Sequence, residues 1–152
     1  MPNTQNNRNE KHLHSAGPIG LTPDVQRGLR ALIRLAIEDD FLKIREVVNK
    51  ENIPPMNLEN IFSLFEKNGL IKSKKGATEG YELASDPKNI NLKIIIEAIQ
   101  GNMNLVRCID GDCEKIDTCR SAPVWKSLDK IIKEKFEEIT LANLVESYED
   151  KK

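Results

Sequence analysis

Three cysteines dominate the chemistry that this sequence can offer. Cys108, Cys113 and Cys119 lie within one twelve-residue window, in the pattern Cys-x4-Cys-x5-Cys, and the chain has no other cysteine. Thiolates gathered on a short polar loop can bind a soft metal ion or an iron–sulfur core. Most sites of this kind use four protein ligands, so a fourth ligand must come from elsewhere. An incomplete set of thiolates favours a sensor over a structural metal site.

Three other interpretations of the cysteines compete with an iron–sulfur cluster. A disulfide with one odd thiol is typical of secreted proteins, but no secretory leader is recognisable at the N-terminus. Zinc sites usually contain Cys-x2–4-Cys pairs, whereas the second gap here is five residues, and His12 and His14 lie far back in a polar segment. The third is that the thiols are incidental. The spacing favours a cluster, and the alternatives stay open.

Size and composition limit the classes of protein that this chain can form. Its 152 residues suit one domain, or a small domain with a long appendage, and the net charge of −1 gives no general affinity for nucleic acid. No apolar stretch approaches the ~20 residues of a membrane span, so we expect a soluble, cytoplasmic protein with no membrane partner. Residues 1–20 are polar and rich in Asn, which predicts a disordered tail or an artificial leader.

Apolar periodicity between residues 22 and 69 predicts three helices. The first begins with Thr22 as its N-cap and ends at Asp39, and a shorter helix follows. The third opens near Pro55, runs to Asn68 and is capped by Gly69. Four apolar residues at helical spacing are expected to form its buried stripe, namely Leu58, Ile61, Phe62 and Phe65. Two short helices joined by a tight break are typical of a helix-turn-helix, and also of many small bundles.

The segment after the third helix distinguishes between these two folds. Residues 70–73 and 80–84 read as two short strands around a polar turn, which predicts a hairpin directly after the helix-turn-helix. Such a hairpin is the wing of a winged-helix domain. Lys72, Lys74 and Lys75 place positive charge near its tip, where a DNA backbone can be contacted.

A long amphipathic helix follows the cysteine window. It begins near Pro123, carries Val124, Leu128, Ile131 and Ile132 on one face, and has no obvious partner within the chain, so we expect it to pair with a second copy. The predicted fold is mainly α with a small β-hairpin wing, namely a winged helix-turn-helix plus a long dimerisation helix. The predicted domains are residues 1–20 as the tail, 21–101 as the winged helix-turn-helix, 102–121 as the cysteine loop, and 122–147 as the dimerisation and C-terminal helices.

The order and spacing of several features are together specific: the cysteine loop, Trp125, and the segments Gly28–Leu32, Lys67–Ser73, Gly80–Ala84, Ile95–Gly101 and Ile139–Leu144. In these features the chain resembles the winged-helix bacterial repressors typified by the iron–sulfur cluster regulator and the nitric-oxide-sensing nitrite repressor. The resemblance covers about residues 21–145 and implies a homodimer that binds a double-stranded DNA operator. It also implies a 2Fe–2S or 4Fe–4S cluster beside each dimerisation helix.

The same resemblance suggests which residues hold the cluster. The three cysteines fall where the thiolate ligands of this group lie, although the first gap is four residues here and five in the group. Relatives of the cluster regulator place a His where Ala122 stands, and relatives of the nitrite repressor supply an Asp from the partner's first helix. The latter position is Gln26 here, and it is our expected fourth ligand. Asp24, a small molecule or solvent are the alternatives.

The expected DNA contacts depend on local placement, since residues 22–84 contain ten Lys or Arg and ten Asp or Glu. Two asparagines of the third helix can read adenine edges. The basic residues are expected to contact the DNA backbone. The candidates are Asn57 and Asn60 as base readers, and Arg27, Arg30, Lys43, Arg45, Lys72, Lys74 and Lys75 as further DNA contacts.

The predicted function is that of an iron–sulfur transcriptional regulator that senses iron, redox state or nitric oxide. One alternative is a cluster-free thiol switch, in which Lys115 and Arg120 lower a thiol pKa. Another is a zinc-braced winged helix that binds protein in place of DNA. We do not expect an enzyme, because no phosphate-binding glycine loop or nucleophile motif is present.

Overall fold

Six α-helices and one two-stranded hairpin make up the described part of the protein, in a computed structural model that describes residues 21–76, 79–103 and 118–149. The chain order is α1 (Pro23–Glu38), α2 (Ile44–Glu51), α3 (Pro55–Lys67), β1 (Ile71–Lys74), β2 (Gly80–Leu83), a 3₁₀ turn (Pro87–Asn89), α4 (Leu92–Gln100), α5 (Ala122–Glu138) and α6 (Leu141–Glu149). The predicted mainly helical fold with a β-hairpin wing is confirmed. The predicted tail of residues 1–20 lies outside the described residues.

Prolines and polar caps set the ends of the helices. Pro23 occupies the first turn of α1, and Asn91 Oδ1 accepts a hydrogen bond from the Ile94 N–H at 2.9 Å at the start of α4. Thr22 is the N-cap residue of α1, but its buried hydroxyl forms no hydrogen bond with a described residue. Gly69 adopts φ 74° after α3, a conformation that favours glycine. The chain therefore turns sharply from α3 into the wing.

The main core lies between α1, α3 and α4. The predicted inner stripe of α3 is fully buried and consists of Leu58, Ile61, Phe62 and Phe65. The buried face of α1 includes the small residues Gly28 and Ala31 in addition to large apolar residues. A β-carbon on Gly28 would lie 2.6 Å from Ile99 Cδ1 and 2.8 Å from Phe65 Cζ. The absence of a side chain therefore allows α1 to approach α3 and α4 closely.

Ion pairs join the first helix of the helix-turn-helix to α1. Arg34 Nε lies 2.7 Å from Glu51 Oε1, and Lys50 Nζ lies 2.6 Å from Glu38 Oε1. The Glu51 carboxylate raises the pKa of Arg34, and Lys50 lowers the pKa of Glu38. These contacts fix the end of α2, and thereby the turn that leads into α3.

The wing is an antiparallel hairpin that is extended by one residue from the α1–α2 connection. The register pairs Ile71 with Leu83 and Lys74 with Gly80. Leu42 also pairs with Tyr81 through two backbone hydrogen bonds of 2.9 and 2.8 Å. The base of the wing is therefore attached to the segment that precedes α2.

The α5 helix has two apolar faces. Its inner face contributes Ile132 and Phe136 to a second core cluster with Val25, Ile96 and Met103. Its outer face leaves large side chains exposed, and we call this the outer stripe of α5: Val124, Trp125, Leu128 and Ile131. Among the described residues no helix is both long and apolar enough to cross a membrane.

Candidate nucleic-acid interface and thiolate site

The α3 helix presents one fully exposed face opposite its buried stripe. Met56, Asn60, Ser63 and Lys67 follow one another at intervals of three or four residues, so they lie on one side of the helix. All four are exposed, and we call them the outer stripe of α3. In a helix-turn-helix the second helix enters the major groove, which makes this stripe the candidate base-reading surface.

Lys43 and Arg45 lie beside this surface. Both are exposed, and together with Glu59, Glu79 and Tyr81 they line an open cavity of about 450 Å³ between α2, α3 and the wing. Glu46 fixes the start of α2, since its carboxylate accepts a hydrogen bond from the Lys43 N–H at 2.7 Å. The structure therefore brings the two predicted basic residues to one edge of α3.

Tyr81 couples the wing to α3. Its ring lies 4.8 Å from the ring of Phe62, centroid to centroid, at an interplanar angle of 58°. Burial, followed by the carboxylates of Glu66, Glu79 and Glu59, raises the pKa of Tyr81. The phenol thus stays protonated and remains a hydrogen-bond donor through the physiological pH range.

The three wing lysines differ in their surroundings. Lys72 forms an ion pair with Glu82 at 3.1 Å, and Lys74 Nζ lies 5.3 Å from the centroid of the Phe41 ring. Lys75 is exposed and has no partner among the residues that the structure describes. Lys72 therefore has a partner within the hairpin, Lys74 has one in the α1–α2 connection, and Lys75 lies exposed at the start of the turn.

The remaining predicted contacts lie on or near α1. Arg30 is exposed, whereas Arg27 forms an ion pair with Asp24 at 2.9 Å. The Asn57 side-chain amide is half-buried and donates a long hydrogen bond of 3.5 Å to the same carboxylate. Asn57 and Arg27 line a second cavity of about 370 Å³ with Gln100. The structure separates Asn57 from Asn60, which is exposed in the outer stripe of α3.

Cys119 lies just before the N-terminus of α5. Its sulfur is 3.1 Å from the Ser121 hydroxyl. Hydrogen bonds from this hydroxyl and from the Ser121 backbone N–H lower the pKa of Cys119, with a weaker contribution from the Ala122 N–H and an opposing effect of desolvation. These hydrogen bonds favour the thiolate form of Cys119, which is the form that binds metal and attacks disulfides.

Cys108 and Cys113 lie outside the described residues. The described donors fit a thiolate ligand at Cys119. Within the ranges 21–76, 79–103 and 118–149 no group of three potential metal ligands comes together. Gln26 is exposed on α1 and forms no hydrogen bond with a described residue, whereas Asp24 is engaged by Arg27.

With this arrangement in view, the comparisons with known proteins identify the family. The family model named Rrf2, described as an iron-dependent transcriptional regulator, matches residues 21–147. The chain belongs to the Rrf2 family. It is a DNA-binding transcriptional regulator of the winged-helix type.

Relatives and solved structures agree with this membership. The chain is 29% identical over 128 residues to the transcriptional regulator IscR of Yersinia enterocolitica, covering 82% of this chain and 78% of the relative. It is 27% identical over 132 residues to IscR of Escherichia coli, covering 85% and 82%. The structure of T. potens IscR superposes with a TM-score of 0.69 at 25% identity, covering 90% of this chain and 94% of that one. CymR, the global cysteine regulator of B. subtilis, superposes with a TM-score of 0.67 at 25% identity, covering 84% and 96%.

Sequence reasoning missed three residues of the candidate sites. Ser121 bonds Cys119, and its position two residues later, at the start of a helix, is a recognisable signal. Phe41 contacts Lys74 across the hairpin, which no local pattern indicates. Met56 is the third, because an apolar side chain on an amphipathic helix is expected to be buried, yet it is 76% exposed.

Proposed function

We propose that this Rrf2 protein is a homodimeric regulator that senses iron supply, redox state or nitric oxide through an iron–sulfur cluster and acts on operator DNA in the cytoplasm. The observation that carries the sensor proposal is the position of Cys119 just before α5, where hydrogen bonds from Ser121 lower its pKa. The cluster would be of the 2Fe–2S or 4Fe–4S type. When bound, it would supply an iron core that reacts with oxygen and nitric oxide.

The proposed ligands are the three cysteines and one residue from the second subunit. The lowered pKa of Cys119 favours its thiolate form, and Cys108 and Cys113 precede it within twelve residues. The partner's Gln26 is the proposed fourth ligand. Its support is the exposure of this side chain in the described chain, together with the engagement of Asp24 by Arg27. Glutamine is a weak ligand, so this fourth position would exchange readily, which suits a sensor.

The outer stripe of α5 is the proposed dimer interface. Its four large side chains are exposed, although the opposite face of the same helix is packed against α1 and α4. An isologous pairing of two such stripes buries them against each other. The proposed domain division places the winged helix at residues 21–101, the cysteine loop at 102–121, and the dimerisation and C-terminal helices at 122–147.

The proposed DNA contacts follow the positions of the polar residues around α3 and the wing. Asn60 is exposed for base contact. The proposed phosphate contacts are Lys43 and Arg45 at one edge of α3, and Lys74 and Lys75 at the wing. Arg30 is also exposed, and it is a further proposed phosphate contact. Arg27, Asn57 and Lys72 have partners within the chain, so we propose that they position neighbouring groups unless DNA displaces those partners.

Anaerobic purification tests the cluster. We expect brown protein that contains iron and sulfide, and we expect Cys108→Ala, Cys113→Ala and Cys119→Ala each to lose the visible absorbance after reconstitution. Ser127→Ala, at an exposed position of α5, is the matched control and should keep it. Colourless wild-type protein without iron would exclude the cluster, and stoichiometric zinc in its place would identify a zinc site.

A thiol switch is the second candidate function, and the lowered pKa of Cys119 favours it equally. A thiolate attacks disulfides and is oxidised more readily than a thiol. In this case the anaerobic protein is iron-free, and its DNA affinity changes when two of its cysteines form a disulfide. Mass spectrometry of alkylated protein before and after oxidation counts the free thiols and distinguishes the two mechanisms.

The salt dependence of operator binding tests the phosphate contacts. Each lost phosphate contact lowers the slope of log K against log salt by about 0.9. Lys75→Ala should therefore lower the slope by about 2 for a dimer with two wings. Lys130→Ala, an exposed lysine on α5, is the control that should leave it unchanged. An unchanged slope for Lys75→Ala would remove this residue from the interface.

A further inference from the structure

The outer stripe of α3 contains one side chain that phosphate or polar base contacts do not explain. Met56 is 76% exposed, more than any other large hydrophobic side chain among the described residues. It lies outside both core clusters formed by those residues. A single exposed methionine is ordinary on a protein surface. Its position in the first turn of the recognition helix gives it a specific significance.

The position of Met56 on α3 is fixed by the packing of the opposite face. Phe62 and Phe65 on that face are only 1% and 0% exposed, so α3 cannot rotate about its axis without opening the core. Pro55 starts the helix, and Met56 is therefore in the first turn, where recognition helices contact base edges. Asn60 follows four residues later on the same side, and Ser63 follows three residues after that.

The chemistry of this stripe selects particular bases. An apolar side chain in the major groove can contact the C5-methyl group of thymine, which is the apolar group that a base pair presents there. An asparagine can form two hydrogen bonds to adenine N6 and N7. Residues four apart on a helix have their β-carbons ~6 Å apart. The rise per base pair is ~3.4 Å, so the two side chains reach bases about two steps apart.

We propose that Met56 reads the methyl group of a thymine in each half-site, about two base pairs from the adenine that Asn60 reads. This inference rests on the proposed operator binding and adds a specificity-determining residue to it. The half-site under the first turns of α3 is accordingly rich in A·T pairs. Lys67, at the far end of the same stripe, lies closer to the DNA backbone than to this pair of bases.

Deoxyuridine substitution tests the contact without altering the protein. Operators are first selected from a randomised duplex pool by the full-length dimer, in both its anaerobic and its metal-free forms. Each thymine of the selected half-site is then replaced by deoxyuridine, which lacks only the C5-methyl group. Loss of one buried methyl contact corresponds to ~0.8 kcal/mol, or about fourfold in affinity. We expect this loss at one thymine per half-site, and about fifteenfold when both half-sites are changed.

Met56→Ala completes the comparison. It should bind the thymine operator about fifteenfold more weakly and should be insensitive to deoxyuridine at the critical position. Met56→Leu keeps an apolar contact and should remain sensitive. Ile94→Ala, at an exposed apolar position on α4, is the matched control and should behave like wild type.

Two results would overturn the inference while leaving operator binding intact. One is a wild-type protein that is indifferent to deoxyuridine at every thymine, and the other is Met56→Ala that remains as sensitive as wild type. Circular dichroism and thermal unfolding establish that each variant is folded. Failure of wild-type protein to select any sequence in either form would remove the operator proposal, and the Met56 contact with it.

Discussion

Ile131→Ala is the sharpest test of the proposed dimer. Ile131 is 58% exposed on the outer stripe of α5, so just over half of its side chain is available for burial by a second subunit. Full burial of an isoleucine stabilises by ~1.5–3 kcal/mol, and the exposed fraction is therefore worth ~1–1.5 kcal/mol. An isologous interface contains the residue twice. The substitution should weaken the dimer by ~2–3 kcal/mol, or about 30- to 150-fold in dissociation constant.

Sedimentation equilibrium over a range of concentrations measures this dissociation constant directly. Met56→Ala is the matched control, since it removes an even more exposed apolar side chain from the opposite functional region of the protein. We expect its dimer affinity to equal that of wild type. Equal dissociation constants for Ile131→Ala and wild type would refute the assignment of this stripe as the interface, and a monomeric wild type would refute the dimer itself.

Two further substitutions test the wing and the thiolate. Gly80→Ala should lower the free energy of unfolding in urea by ~1–3 kcal/mol, because its β-carbon would lie 3.0 Å from the Leu42 carbonyl oxygen, which is held by the backbone pairing with Tyr81. An unchanged free energy of unfolding would show that the segment around Leu42 can shift to accommodate the added β-carbon without destabilising the fold. With the other two cysteines replaced by alanine, the rate of Cys119 alkylation should reach half its maximum at a lower pH than that of an ordinary exposed thiol, and Ser121→Ala should move this midpoint upwards. Identical midpoints in the two proteins would mean that Ser121 does not stabilise the thiolate.

Most of the fold can be predicted from features that are local in the sequence. The start of α1 and the break before α3 depend on prolines, and the end of α3 depends on Gly69, all of which act within a few residues. The buried stripe of α3 repeats at helical spacing and was predicted residue by residue. The hairpin follows from a polar turn between two apolar segments. Each of these features depends on residues that are close together in the sequence, so a sequence pattern predicts it.

Contacts between segments that lie far apart in the sequence could not be predicted from it. Gly28 lies in the core because Ile99, 71 positions later, occupies the space where its side chain would be. Arg27 and Asn57 were assigned to DNA from their residue types, yet both contact Asp24. Residue type establishes what a side chain can bind, and only the packing of α1 against α3 determines what it meets first.

The α5 helix connects Cys119, the proposed dimer interface and the core that lies behind α3. Its N-terminus is at Cys119 and Ser121, and its outer stripe is the proposed dimer interface. Its inner residues Ile132 and Phe136 pack with Val25 of α1 and Ile96 of α4. A helix of 17 residues is ~25 Å long and moves as a stiff rod. If a change at the cysteines moves the N-terminus of α5, the packed inner face must transmit the displacement to α1 and α4. Because α1 and α4 also form the core behind α3, this route requires no mobile linker between the proposed cluster and the recognition helix.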